Sequence, residues 1–238
     1  MNIPILYEDK DILAIDKPSG LVVHGDGRTK EESVASLLLK KYPNIAHVGE
    51  PWISQKGESI LRGGIVHRLD RETSGVMLVA KTSEGFECLK KQFQNREVKK
   101  EYRAFVFGEI KNDKAIIDRP IGKSRSDFRK WSAQRGAKGE MRDAVTEYNV
   151  LLRGGGYSFV SVFPKTGRTH QIRVHFKAIN YPLVSDILYG SKKENSLGFK
   201  RLALHSFSIT FKNLDGQEVV VNSQYPEDFK SALDMLQK

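Results

Sequence analysis

A single cysteine, Cys88, in a chain of 238 residues excludes an internal disulfide and suits a reducing compartment. The same scarcity excludes a zinc knuckle, which needs a second cysteine. The histidines do not restore a metal site, because His170 and His175 are five apart and miss the i, i+4 spacing of a helical H-E-x-x-H pair. No stretch approaches the ~18 uninterrupted apolar residues of a membrane span. The opening MNIPILYEDKDILAIDKP lacks a basic segment followed by an apolar run and a small-residue cleavage site. There is no G-x-x-x-x-G-K-[ST] loop to cradle a nucleotide phosphate, and no G-x-S-x-G elbow to present a catalytic serine. Internal repeats, low-complexity tracts and an interdomain linker are also missing. The expectation is a soluble, intracellular, cytoplasmic chain with no membrane partner, no metal and no other cofactor, monomeric by default.

What is present is charge and a core. Lys and Arg number 39 against 29 acidic residues, a formal charge of +10, so the long-range field attracts polyanions and nucleic acid leads as partner class. The 39% hydrophobic content is enough to bury one large core or two closely packed halves.

Hydrophobic periodicity divides the chain into elements. Residues 3–7 and 11–16 read as short strands, followed by the tight turn Lys17-Pro18-Ser19-Gly20. TKEESVASLLLKKYP has helical spacing, with Thr29 as a candidate N-cap and Pro43 as the stop. Residues 44–63, with Pro51, Trp52 and several glycines, break the pattern and read as a surface insertion. TSEGFECLKKQFQNREV is a helix with Ser83 as its candidate cap, and KKEYRAFVFGEI alternates as a strand with Tyr102, Ala104 and Val106 on one face. DAVTEYNVLLRGGGYSFVSVFP is a hairpin joined through Gly154-Gly155-Gly156. TGRTHQIRVHFKAINYP turns helical, with Ile172, Val174, Phe176 and Ile179 as core. Two further strands (RLALHSFSITF, QEVVVNS) and an amphipathic C-terminal helix (PEDFKSALDMLQK) complete a mixed α+β fold with a largely antiparallel sheet flanked by helices and loops.

Two segments invite a chemical reading. Residues 119–142 hold eight Lys or Arg and two acids, interleaved with Phe128 and Trp131, a composition equally suited to a solvated hairpin or to phosphate neutralisation with base stacking. In GGIVHRLDRETSGVMLVAK, residues 63–81, His67, Arg68, Asp70, Arg71, Glu72 and Thr73 crowd between Gly64-Ile65-Val66 and Val76-Met77-Leu78-Val79, two runs that read as buried strands. By residue type alone Asp70, flanked by Arg68 and Arg71, is either an ordinary ion-pair member or a carboxylate available as nucleophile or electrostatic stabiliser.

The run His67-Arg68-Leu69-Asp70-Arg71-Glu72-Thr73-Ser74-Gly75 resembles the HRLD-x-x-T-S-G signature of the RluA-type pseudouridine synthases. DKPSGLVVH (16–24), KKEYRAFV (99–106), KTGRTHQIRVH (165–175) and RLALHS (201–206) resemble the family's other motifs in order and spacing. The resemblance runs from about Ile5 to the C-terminal helix, so it implies the pseudouridine synthase fold as one catalytic domain over residues 1–238, without the N-terminal S4 domain many members carry.

It further implies isomerisation of uridine in structured RNA, with ribosomal RNA of the large subunit as the leading partner and transfer RNA as the second. Carried over by residue, it makes Asp70 the catalytic aspartate, attacking C1′ or assisting elimination across the sugar. Tyr102 would be the base-stacking general base, and Arg173 the partner of Asp70. Leu204, or Leu202 close by in register, would wall the base pocket. His67, Arg68, Arg168, Thr169 and His170 would contact RNA, Arg68 holding it open where the uridine leaves the stack. A non-catalytic RNA-binding module and a base-releasing N-glycosidase stand as alternatives.

Overall fold

The computed structural model describes residues 2–25, 31–53, 59–125, 127, 129–133, 137–190 and 196–237. In chain order the elements are β1 (Ile5–Glu8), β2 (Ile12–Lys17), α1 (Val34–Lys41), β3 (Trp52–Ile53), β4 (Ser59–Ile60), β5 (Ser74–Ala80), α2 (Ser83–Gln94) and β6 (Lys99–Phe107). They continue with β7 (Lys114–Asp118), β8 (Ile121–Lys123), β9 (Trp131–Ser132), β10 (Lys138–Arg142), β11 (Val145–Gly154) and β12 (Tyr157–Pro164). Last come α3 (Gln171–Ala178), β13 (Leu204–Lys212), β14 (Glu218–Asn222) and α4 (Glu227–Leu236). Two compact units emerge, residues 1–99 with 206–224 and residues 100–205 with 225–238. Among the described residues no helix is long and apolar enough to cross a membrane.

In the first unit β2 pairs antiparallel with both β1 and β5, and β13 follows β5 and carries β14 at its edge. All seven residues of β5 are buried, as its unbroken apolar run requires. Gly75, at φ +108, lies where a Cβ would stand 2.1 Å from the Ser206 carbonyl oxygen, so glycine alone admits the neighbouring backbone. The helix caps differ from those expected. Thr29 lies outside the described residues, and α1 starts from Ser33, whose side chain and that of Ser36 form a reciprocal capping box. Ser83 is already helical. Thr82, in extended conformation, caps α2 by accepting from the Gly85 N–H at 3.1 Å.

Two sequence expectations between α1 and β5 are corrected. Pro43 stops α1 but opens a 3-10 turn, Pro43–His47, that buries Ile45, and Val48 is buried just beyond it, so the front of the supposed surface insertion belongs to the core. Gly64-Ile65-Val66 is not a strand. Gly63 and Gly64 take left-handed φ values of +56 and +72, and only an isolated bridge joins Ile65 to Val79. A Cβ on Gly64 would fall 1.9 Å from the Ala80 carbonyl oxygen, a contact that places this backbone against the end of β5 without extended geometry.

In the second unit the strand order is β6, β12, β11, β7, antiparallel throughout. The β11–β12 hairpin turns on two residues, Gly155 and Gly156, both at positive φ; Gly154 is still paired, with Tyr157. The alternation of β6 holds as read. Ala104 and Val106 pack with Ile172 and Phe176 of α3 and with Leu202 and Leu204, while Phe105 packs with Phe159, Phe199 and Phe229 of α4. The basic segment forms a small sheet, β10-β8-β9, whose β10 is exposed at every residue; Phe128 lies outside the described residues. The α+β, largely antiparallel reading is the observed fold class.

His175, with no exposed surface, has its ring nitrogens 2.9 Å from Thr146 Oγ1 and 2.9 Å from the Arg119 carbonyl oxygen. Burial lowers its pKa, and the carbonyl contact opposes that in part. The unfolded chain protonates this imidazole near the ordinary histidine value of about 6.5 and the folded chain only below it. This contribution to stability is therefore full above that value and lost as pH falls through the window beneath it. The urea midpoint should drop between about pH 7 and about pH 5, and should drop less in His175→Gln; equal pH dependence in the two proteins would refute the assignment.

Candidate active site

The residues singled out by sequence fall in both units. His67, Arg68 and Asp70 belong to the first, and Tyr102, Arg168, Thr169, His170, Arg173 and Leu204 to the second.

The Asp70 loop is held through its backbone. Lys17, at the end of β2, has no exposed surface, and its Nζ donates to the carbonyls of Pro18 (2.8 Å), Leu21 (2.8 Å) and Arg71 (3.0 Å). The Gly20 N–H donates to the same Arg71 carbonyl at 2.9 Å, and Ser19 Oγ donates to the Glu72 carbonyl at 2.8 Å. The turn Lys17–Gly20 thus ties down the residues directly after Asp70. Leu69 before it and Thr73 after it are buried, and the Thr73 N–H closes a turn on the Asp70 carbonyl at 3.1 Å.

His67 completes the attachment. Its Nε2 accepts the Leu78 N–H at 2.8 Å, and its ring stacks on Phe93 of α2 with centroids 4.7 Å apart. The imidazole stands where a neighbouring strand would offer a carbonyl, which is how β5 stays paired beside a segment that is not a strand. With Nε2 accepting, this ring is neutral and carries its proton on Nδ1.

The two arginines flanking Asp70 part company. Arg71 binds Glu31 through Nη2 at 2.7 Å and Nη1 at 3.2 Å in an exposed pair, whereas Arg68 is exposed and makes no hydrogen bond or ion pair among the described residues. The carboxylate-between-guanidiniums picture drawn from sequence neighbours therefore changes, with Arg71 turned to another acid.

In the second unit Tyr102 lies on β6 and packs against the cluster that contains Leu204, Leu202 and Ile172. Arg173 is 7% exposed on α3. Its Nε and Nη2 donate to the two carboxylate oxygens of Asp186 at 2.7 and 2.8 Å, a bidentate pair, and its guanidinium lies 5.1 Å from the Tyr189 ring centroid. Asp186 Oδ1 also accepts the N–H groups of Leu188 and Tyr189, each at 3.0 Å. The carboxylate is thus fixed by its own loop before it fixes the arginine.

His170, in the left-handed region at φ +55, directly precedes α3, with its Nδ1 2.9 Å from the Tyr189 hydroxyl. Arg168 donates from Nε to the Asp143 carbonyl at 3.0 Å, and Thr169 is exposed. Helix α3 begins at Gln171, later than the expected helical segment. The buried Gln171 side chain instead organises the preceding turn, accepting from Thr166 Oγ1 (2.7 Å) and the Arg168 N–H (3.0 Å).

Asp186 and Lys17 are the anchoring positions that reasoning from sequence missed. A signal for the first was present: Asp186 is the one acid in residues 165–190, a stretch containing Lys165, Arg168, Arg173 and Lys177. A cation destined for burial needs such a partner.

An α+β fold carrying this aspartate loop, with a tyrosine strand and an arginine helix, defines a class that comparison with known proteins makes specific. A family model described as RNA pseudouridylate synthase matches residues 11–178. The chain is 35% identical over 239 residues to an uncharacterized RNA pseudouridine synthase, YlyB, of Bacillus subtilis, with 100% of this chain and 74% of that one covered. It is 38% identical over 253 residues to ribosomal large subunit pseudouridine synthase D of Pseudomonas aeruginosa, with 100% and 73% covered. Among solved structures it is similar to human RNA pseudouridylate synthase domain containing 4, with TM-score 0.75, 26% identity, and 98% and 93% of the two chains covered. The chain belongs to the RNA pseudouridylate synthase family. It is an isomerase that acts on RNA.

Removing one partner of a buried ion pair strands the other, at a cost of about 3–5 kcal/mol. Asp186→Ala should lower the unfolding free energy by that amount in urea titrations. A loss below about 1 kcal/mol, the scale of an exposed pair, would show that Arg173 does not depend on Asp186.

Proposed function

We propose that this enzyme converts uridine to pseudouridine in ribosomal RNA of the large subunit, with Asp70 as the catalytic carboxylate. The observation that carries the choice of substrate is the 38% identity to the Pseudomonas protein named for the large ribosomal subunit. The reaction breaks the N1–C1′ bond, turns the uracil and rejoins it through C5, while N1 gains a proton and C5 loses one. Its atoms balance without a redox partner.

Each role has a physical reason. Asp70 acts at the sugar, and the residues that follow it are tied through their backbone, which suits a carboxylate that must hold one direction. The resemblance makes Arg173 the partner of Asp70; a guanidinium offers planar, directional donors and stays protonated, and Asp186 orients it. Tyr102 stacks on the base and takes the C5 proton, the ring giving the face and the hydroxyl the acceptor. Leu204 excludes water from the base pocket. Arg68, exposed, holds the RNA open.

A uridine within a helix must be flipped out, at a cost of a few kcal/mol that is least for loops and weak pairs. The exposed basic strand β10 and Lys123, whose ammonium lies 6.0 Å from the Trp131 ring centroid, support phosphate contacts that offset this cost.

The test is tritium release from 5-³H-uridine-labelled large-subunit ribosomal RNA and transfer RNA transcripts, with sites mapped by carbodiimide primer extension. Wild type should release tritium from the ribosomal transcript. Asp70→Asn should release none while binding RNA as before, and turnover by that variant would sink the mechanism. Tyr102→Phe keeps the stacking face and should lose roughly 10²–10⁴-fold in rate, the usual worth of a positioned base. Release from transfer RNA alone would move the substrate class.

A further inference from the structure

His24, at the end of the DKPSGLVVH motif, has no part in the chemistry above. Its imidazole is half-buried, and its Nδ1 is closed off from water without a hydrogen-bond partner among the described residues. Arg62 Nε is in the same condition. A buried polar atom left unpaired costs about 1–3 kcal/mol, and folded chains keep few of them. The two orphans are linked electrostatically, because the Arg62 charge is among the causes, after burial, that hold the imidazole pKa down. A pair of orphans linked in this way points to a third group that completes them.

The surrounding charge says which kind of group. Burial, then the guanidiniums of Arg62 and Arg68, hold the His24 pKa down to about 4, so the ring is neutral near pH 7 with two cations close to it. The acid whose titration registers Arg62 is Glu50, and its carboxylate is bound to Lys90 Nζ at 2.6 Å. Neither arginine has a recorded ion pair among the described residues. Two guanidiniums and a neutral imidazole with no carboxylate bound among them complement an anion with several oxygens.

We propose that His24 and Arg62, with the Arg68 charge beside them, form a seat for one phosphodiester group of the RNA strand that carries the target uridine. The proposal rests on the reading of this chain as an enzyme of RNA. A guanidinium meets two phosphate oxygens at once, so the contact fixes direction as well as distance. Arg68 precedes Asp70 by two residues, so the seat adjoins the catalytic loop in the chain. Such a contact sets the register of the strand and carries no sequence information of its own. An anion in the seat also favours a second proton on the imidazole, and its arrival is readable at His24 itself.

The experiment has two readouts. RNA affinity is measured by fluorescence anisotropy across a salt series for wild type, Arg62→Gln, Arg62→Lys and His24→Asn, with unfolding of each free protein recorded alongside. Arg62→Gln should weaken binding on the order of tenfold, the worth of a charge-assisted hydrogen bond. The slope of log K against log salt should fall by about one, equally on every transcript, and Arg62→Lys should keep the slope. The free Arg62→Gln protein should be no less stable than wild type, since the group removed has no partner to lose. An unchanged slope in Arg62→Gln overturns the proposal.

The second readout serves even where a variant fails to fold. The His24 imidazole of wild type, assigned through bonds from its own backbone, is titrated by NMR alone, with RNA, and with inorganic phosphate. Titration at higher pH with RNA, whether or not phosphate does the same, supports the seat. A response to phosphate only marks an adventitious ion, and a response to neither leaves the orphans to water; both outcomes overturn it. Failure of the pseudouridine reading would look different, with no product from wild type while the salt slopes and the His24 response stand.

Discussion

A buried ammonium needs an acceptor for each of its hydrogens, and Lys17 finds carbonyls in two places far apart in the chain. Two belong to its own turn and the third to Arg71, 54 residues on, so the end of β2 and the residues after Asp70 cannot be placed independently. The rest of the first unit follows from that tie. Gly20 is left-handed because its N–H must reach the same Arg71 carbonyl, and Ser19 reaches the next one. The segment that leads into the loop has no room for a side chain at Gly64 and no ladder of its own, and there the His67 ring supplies the acceptor that Leu78 lacks. A loop fixed this way holds its direction through many backbone bonds, each worth about 1 kcal/mol net, without the bulk of a packed core around it.

The second unit meets the same demand with a different device. Arg173 is too buried to be held by solvent, and a buried guanidinium without a carboxylate would cost several kcal/mol. Asp186 answers with both oxygens, and two backbone N–H groups of its own loop keep that carboxylate in place. Desolvation takes back much of what such a pair gains, so its worth lies chiefly in orientation. The Tyr189 ring beside the guanidinium and the left-handed His170 ahead of α3 belong to the same local arrangement.

Elements whose residues carry a strong period were legible in the sequence. The unbroken apolar run of β5, the alternation of β6, the glycine hairpin and the amphipathic α4 all stand where the pattern put them, within a few residues at their ends. Residues 64–66 misled for a physical reason. Ile65 and Val66 favour extended backbone, but Gly63 and Gly64 are free to take positive φ, and a one-dimensional pattern cannot say which preference wins. The caps of α1 and α2 were misplaced because several hydroxyl residues precede each helix, and only the backbone conformation selects among them. Asp186 and Glu31 escaped notice because ion pairs join positions distant in sequence, whereas neighbours in sequence, such as Asp70 and Arg71, need not pair at all.

The two kinds of residue in the motifs also differ in what they tolerate. In DKPSG and HRLD, Lys17, Gly20, His67 and Leu69 hold backbone in place, leaving Arg68 exposed and Asp70 half-buried. An isomerase that acts on a base within RNA needs its groups in fixed positions. Rigid placement at a polar site requires buried polar anchors, and each anchor requires a partner of matching geometry. Most of a motif is therefore scaffolding for one or two reacting groups, and its length reflects the number of anchors needed. That is also why His24 Nδ1 and Arg62 Nε stand out: Lys17, His67 and Arg173 are each supplied with acceptors or donors from the chain, whereas these two buried atoms have none among the described residues.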